Sequence, residues 1–69
     1  MSTSITITHA THKVADAINS LSVECFYPGI RRDVQAMTGL PRVMIDAIMD
    51  DLVSYVQGGD DRLHAYPIN

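Results

Sequence analysis

Histidine, cysteine and serine are the side chains of this sequence that could do covalent or metal chemistry, and none has suitable neighbours. His9 and His12 are three positions apart and could share one side of a helix, but two histidines without a third ligand make a poor zinc site. Cys25 is the only cysteine, and without a nearby base it is more typical of a small buried hydrophobic residue than of a nucleophile. The serines lack the flanking glycines of a nucleophile elbow. We therefore expect no catalytic residue, no metal site and no cofactor.

The arginines have a different chemistry, because a guanidinium group binds phosphates and the edges of guanine bases. The chain has five Lys and Arg residues against eight Asp and Glu residues, which gives a net charge of −3. No segment is basic, whereas affinity for a nucleic-acid backbone comes largely from clustered cations. Any nucleic-acid role must therefore depend on how a few arginines are positioned.

The stretch from Arg31 to Asp50 predicts two helices joined by a short break. Val34 and Met37 lie three positions apart, which places both on one side of the first, short helix. Thr38-Gly39-Leu40-Pro41 then breaks it, because glycine adopts the positive φ of a tight turn and proline is tolerated in the first turn of the next helix. The second helix, over about 42–56, carries an apolar stripe of Ile45, Ile48, Met49 and Leu52. This layout is typical of a helix-turn-helix, whose second helix commonly lies in the major groove of DNA.

The N-terminal part predicts one further helix. Residues 2–8 alternate Ser or Thr with Ile, which indicates a short strand or an N-terminal arm. We therefore divide the chain into an arm over 1–10 and a domain over 11–69. A helix capped by Thr8 or Thr11 is expected over about 11–25. Its apolar stripe consists of Val14, Ala17, Ile18, Leu21 and Cys25.

The C-terminal part predicts a β-hairpin. Gly58-Gly59-Asp60-Asp61 is a turn cluster between two β-compatible runs, 55–57 and 63–66. The predicted fold class is mainly α with a small β-hairpin, comprising three helices, the hairpin and a possible short N-terminal strand.

This order of elements resembles the winged helix-turn-helix family, in which a β-hairpin wing follows the recognition helix. The resemblance covers about residues 11–66. Residues 32–42, RDVQAMTGLPR, are most similar to small bacterial or phage DNA-binding regulators whose motif runs roughly R-D-I-A-x-x-T-G-L-P-R. The family usually has a small residue at the position of Gln35, because two helices cross closely there. Glutamine must direct its amide outward or separate the helices.

The resemblance also implies which side chains of the recognition helix face outward. These are Arg42, Val43, Asp46, Ala47 and Asp50. Arg42 is expected to meet a guanine edge or a phosphate, and Val43 and Ala47 to meet thymine methyl groups. Asp46 can accept a hydrogen bond from cytosine N4, although the phosphates on both sides of the groove repel its charge.

Four further residues are implied to lie near the DNA backbone. Arg31 and Arg32 open the helix before the turn, where they either contact phosphate or form surface ion pairs with Asp33 or nearby aspartates. Arg62 and His64 belong to the wing, which in the family often touches the minor groove or a flanking phosphate.

The implied function is a small DNA-binding transcriptional regulator, a repressor or activator that occupies an operator as a homodimer on double-stranded DNA. The acidic charge leaves an alternative: the same fold as a protein–protein interaction module, such as a phage-encoded inhibitor, adaptor or self-assembling unit with an acidic surface. No apolar run is long enough to cross a membrane, and the polar start is no signal peptide. The single cysteine fits a reducing compartment. We expect a cytoplasmic protein without enzymatic activity or a membrane partner.

Overall fold

Three helices and one two-stranded sheet make up the computed structural model, which describes residues 6–68. In chain order the elements are α1 (Ile7–Leu21), α2 (Ile30–Thr38), α3 (Arg42–Asp51), β1 (Val53–Gln57) and β2 (Leu63–Pro67). The two strands pair in antiparallel orientation. The predicted fold class, mainly α with a small β-hairpin, is confirmed at this level.

Helix α1 begins earlier than its apolar pattern indicated. Its N-cap is Thr6, whose hydroxyl accepts a hydrogen bond from the backbone N–H of His9 at 3.1 Å, rather than either of the threonines predicted. Residues 6–8 are thus the cap and the start of a helix, so the predicted strand is wrong there; residues 2–5 lie outside the described residues. Residues 7–10, which were predicted to belong to the arm over 1–10, therefore belong to α1.

Helix α1 also ends earlier than predicted. Ser22 adopts a left-handed conformation with φ 54°, and its N–H closes the last turn by donating to the Asn19 carbonyl. The carbonyl of the next residue, Val23, accepts a hydrogen bond from the Leu63 N–H at 2.7 Å, so the chain is drawn to β2 instead of continuing the helix. Cys25 therefore lies beyond the helix and is exposed, and its predicted place on the buried stripe is wrong.

The break between α2 and α3 has the expected glycine geometry. Gly39 has φ 73°, and its N–H donates to the Gln35 carbonyl at 2.8 Å, which ends α2. Pro41 lies immediately before α3 in an extended conformation. Helix α3 ends at Asp51 rather than at 56, because residues 53–57 pair with β2. In residues 53–57, pairing with the other strand of the hairpin replaces the helix that the apolar pattern predicts.

The core forms where the three helices meet. Its largest fully buried side chains are Ile18, Ile45, Ile48, Val14 and Val34. Burying a side chain of this size contributes about 1.5–3 kcal/mol, so each is a substantial part of the stability of so small a domain. Met37 is 49% exposed, so of the pair predicted to share one side of α2 only Val34 is buried.

The hairpin is attached to α1 through the side chain of Asn19. Its amide N–H donates to the Ala65 carbonyl at 2.8 Å, and its amide oxygen accepts from the Ala65 N–H at 2.7 Å. Ala65 faces Tyr55 across the sheet, and its own N–H and carbonyl point to the outer edge of β2. Asn19 therefore satisfies backbone groups that another strand could otherwise pair with.

Replacing Asn19 with Ala is expected to destabilise the protein by about 1–3 kcal/mol, because both backbone groups of Ala65 lose their partners. Urea unfolding followed by circular dichroism measures the change. Ser20→Ala is the matched control, since Ser20 is the exposed next residue of α1, and it should change the free energy of unfolding by less than about 0.5 kcal/mol. Equal changes in the two variants would contradict the role given to Asn19.

Candidate functional site

One face of α3 is turned away from the core. Ile45, Ile48 and Met49 are buried on the opposite side of the helix. The outward positions recur at helical spacing, and Val43 among them is 77% exposed. We call this outward set the α3 face: Arg42, Val43, Asp46, Ala47 and Asp50. The fold thus brings together the five positions that the resemblance assigned to the outward side of a recognition helix.

Arg31 of α2 links two successive turns of α3. Its Nη1 donates to Asp46 Oδ1 at 2.8 Å, and its Nη2 donates to Asp50 Oδ1 at 2.6 Å. Arg42 approaches the same oxygen of Asp46 from within α3, with Nε donating at 3.1 Å. We name Arg31, Arg42, Asp46 and Asp50 the ion-pair cluster. The cluster is formally neutral, so the net charge of −3 lies on the rest of the chain.

The ion-pair cluster favours the ionised form of Asp46. The hydrogen bond from Arg31, followed by the one from Arg42, lowers the pKa of Asp46 below its ordinary value of 3.8. The pKa of Arg31 is raised, first by its hydrogen bond to Asp50 and then by that to Asp46. Solvent-accessible ion pairs of this kind contribute little energy, so their main effects are to cancel charge and to hold the side chains in place.

Arg32 and Arg62 lie outside the ion-pair cluster. The Arg32 side chain is 80% exposed, and its Nε lies 3.8 Å from Asp33 Oδ1, at the outer limit of an ion pair. The other oxygen of Asp33 accepts a hydrogen bond from the Tyr27 hydroxyl at 2.6 Å, which raises the pKa of Tyr27. Arg62 is exposed in the hairpin turn. Both arginines are therefore open to solvent.

His64 is engaged within the hairpin. Its Nε2 lies 3.0 Å from Asp60 Oδ1, and this hydrogen bond is the main cause of the lowered pKa of Asp60. A Cβ added at Gly58 would lie 2.8 Å from the His64 ring, so the ring packs against bare glycine backbone. Among the described contacts, none joins His64 or Arg62 to the ion-pair cluster. The predicted site residues thus form two groups, one on α2 and α3 and one at the hairpin turn.

Lys13 takes part in positioning this region, although the sequence did not indicate it. Its Nζ donates to the Thr38 carbonyl at 3.1 Å, across a separation of 25 residues. Thr38 is the last residue of α2, where a cation is favoured by the helix dipole. Lys13 therefore holds the end of α2 against α1, next to the break that leads into α3.

A cavity next to Arg31 is a second feature that the sequence did not indicate. It has a volume of about 370 Å³ and is lined in part by Arg31, Asp50 and the aromatic side chains of Phe26, Tyr27 and Tyr55. Phe26 and Tyr55 pack edge to face, with ring centroids 4.8 Å apart. Arg31 thus faces this cavity as well as the α3 carboxylates.

Comparison with known proteins yields no relative. No protein-family model matches the chain, and neither a curated protein nor a solved structure matches it significantly. Within residues 6–68, no group of three or more His, Cys, Asp or Glu side chains is arranged to hold a metal ion. The helices of this part of the chain are all too short or too polar to cross a membrane.

Removing Arg31 is expected to change how stability depends on pH. Because the pKa of Asp46 is lowered in the folded protein, its ion pairs stabilise the protein above the ordinary carboxyl pKa and are lost as the pH falls through the lowered value. The free energy of unfolding should therefore be higher for the wild type than for Arg31→Gln at about pH 6, and the two should converge towards about pH 2. Urea unfolding across this range measures the difference.

The pKa of Asp46, followed by NMR, provides the direct check. It should rise towards its ordinary value in Arg31→Gln. Arg62→Gln is the control, because it removes the same charge from the hairpin turn, and it should leave the pKa of Asp46 unchanged. A stability difference between wild type and Arg31→Gln that is constant with pH would show that these ion pairs do not form in solution.

Proposed function

We propose that this protein is a small winged helix-turn-helix regulator that binds double-stranded DNA and represses or activates transcription by occupying an operator. In this proposal α3 is the recognition helix in the major groove, α2 crosses the DNA backbone and the β1–β2 hairpin is the wing. The observation that carries the proposal is the ion-pair cluster, because it pairs both carboxylates of the α3 face with arginine.

DNA phosphates repel a carboxylate that has no cationic partner. The pairing of Asp46 and Asp50 with arginine reduces this repulsion. Two like charges 4 Å apart repel by about 1 kcal/mol in water and by more near a protein surface. Asp46 and Asp50 each have an Arg31 nitrogen within 2.8 Å, so the α3 face together with Arg31 is formally neutral. It presents Arg42 together with the small apolar side chains of Val43 and Ala47. That combination suits contact with base edges and thymine methyl groups.

Arg32 and Arg62 are the arginines proposed to contact phosphate. Both are exposed, and Arg32 has only a distant carboxylate beside it. Two phosphate contacts in one protomer correspond to a slope of about −2 when the logarithm of the binding constant is plotted against the logarithm of salt concentration. Such few contacts give weak binding. We therefore propose that a homodimer, with a slope of about −4, is the form that occupies an operator.

Binding to labelled duplex DNA at low salt tests the proposal. The wild type is expected to bind random-sequence duplex weakly, with affinity that falls steeply as salt rises. Arg32→Ala should weaken binding and make the salt slope shallower by about 1 for each protomer, since one phosphate contact is lost.

Arg32→Lys is the matched control for that experiment. Lysine keeps the charge, so the salt slope should remain that of the wild type even if the affinity changes slightly. Absence of duplex binding by the wild type at low ionic strength would exclude the proposed function.

The distribution of charge favours a second candidate function, a protein–protein interaction module with an acidic surface. The whole net charge of −3 lies outside the ion-pair cluster, and Arg31 is already occupied within the protein. A stoichiometric protein recovered by affinity capture from bacterial lysate, released by moderate salt, would support this candidate. Sequence-specific duplex binding together with an empty capture would exclude it.

A further inference from the structure

We infer that Arg42 selects a guanine in the bound DNA, and that Asp46 positions Arg42 rather than contacting a base itself. This selection rests on the proposed function and specifies the base that the recognition helix reads. The sequence leaves Arg42 suited to either guanine or phosphate, and it leaves Asp46 able to accept from cytosine N4 against the repulsion of the phosphates. The hydrogen bonds of the ion-pair cluster favour guanine over phosphate for Arg42 and positioning over base contact for Asp46.

Arg42 is held at one end and open at the other. Its Nε donates to Asp46 Oδ1 at 3.1 Å, and within residues 6–68 this is the only hydrogen bond that the Arg42 side chain makes. The two Nη atoms are therefore available as a planar fork on a side chain that is 50% exposed. Guanine presents O6 and N7 in the major groove, and such a fork matches this pair of acceptors.

Asp46 is already engaged by two donors. Its Oδ1 accepts from Arg42 within α3 and from Arg31 of α2, at 3.1 and 2.8 Å. Both hydrogen bonds are to Oδ1, so a rotation that directed Oδ1 towards a cytosine would break both contacts. Arg31 is anchored at the same time to Asp50, one turn further along α3, so the Asp46 carboxylate is held by a group that is itself bound at a second point. Asp46 thus restricts the directions in which the Arg42 fork can point.

The contrast with Arg32 supports guanine over phosphate as the ligand of Arg42. A phosphate contact requires a positive charge within reach and tolerates a flexible side chain, as the 80% exposed Arg32 provides. A guanine contact requires a fixed planar fork, because two hydrogen bonds must form at once. Asp46 holds the Nε of Arg42 on the α3 face, so Arg42 offers the fixed planar fork that a guanine contact requires.

Selection from a randomised duplex library, followed by binding to the selected site, tests the inference with the full chain. The wild type should select a site with guanine at one defined position. Arg42→Lys should reduce the preference for guanine at that position by about tenfold or more, because lysine lacks the planar fork. Preferences at the other positions should remain.

Asp46→Ala distinguishes positioning from base contact. It should reduce the preference for the same guanine while the affinity for random duplex stays equal or rises, because a negative charge is removed. Asp46→Asn keeps an oxygen that can accept from Arg42 Nε, so it should retain more of the preference than Asp46→Ala does. The matched control is Asp51→Ala, which removes an exposed carboxylate of α3 that forms no ion pair among the described residues and should leave the guanine preference intact.

Three outcomes would overturn the inference. A wild type that binds duplex without a guanine preference, or an Arg42→Lys variant that keeps it, would show that Arg42 does not read this base. A loss of preference at a cytosine alone in Asp46→Ala would show that Asp46 contacts a base directly. Each of these outcomes is compatible with the proposed DNA-binding function. Absence of any duplex binding would exclude both the proposed function and the guanine inference.

Discussion

The paired hydrogen bonds between the Asn19 side chain and the backbone of Ala65 are the interaction on which the arrangement of helices and hairpin depends. A two-stranded hairpin is at best marginally stable in water and needs packing against another element. Here α1 supplies that packing, and Asn19 binds the outer edge of β2 at 2.7 and 2.8 Å, as a neighbouring strand would. Because Val23 adds a further bond to Leu63, the chain leaving α1 is tied to the same edge. The position of the hairpin relative to α1 follows from these contacts.

Local patterns predicted the parts of the fold that local interactions determine. Gly39 was assigned a positive φ from its place in the break, and the buried residues Ile45 and Ile48 were read from helical spacing alone. The ends of α1 and α3 were not predictable in this way, because contacts made outside each helix decide them. Val23 bonds to Leu63, and residues 53–57 pair with 63–67, whereas helical spacing alone predicts that the first helix continues to about 25 and the helix after the break to about 56.

The candidate site shows the same division between local and distant interactions. The outward position of Val43 follows from its spacing relative to Ile45 and Ile48, and the structure places it there. For Arg31 the sequence left two possibilities, phosphate contact or ion pairing with aspartates. The ion pairs are formed in the structure, while a phosphate contact stays a prediction. Whether Arg31 reaches these aspartates depends on how closely α2 and α3 pack, and that distance cannot be read from a short sequence motif.

Arginine rather than lysine at position 31 has a consequence for the whole α3 face. Asp46 and Asp50 are separated by one helical turn, so a single group that binds both must present donors in two directions. The guanidinium of Arg31 does so through Nη1 and Nη2, whereas an ammonium group is a compact point charge without this fixed fork. Each ion pair contributes little energy, so burial of Ile45, Ile48 and Met49 orients α3, and Arg31 determines where the two carboxylates lie on it. The Asp46 carboxylate that accepts from Arg42 is thereby held by a residue outside α3, and the same contacts balance the negative charge of the α3 face.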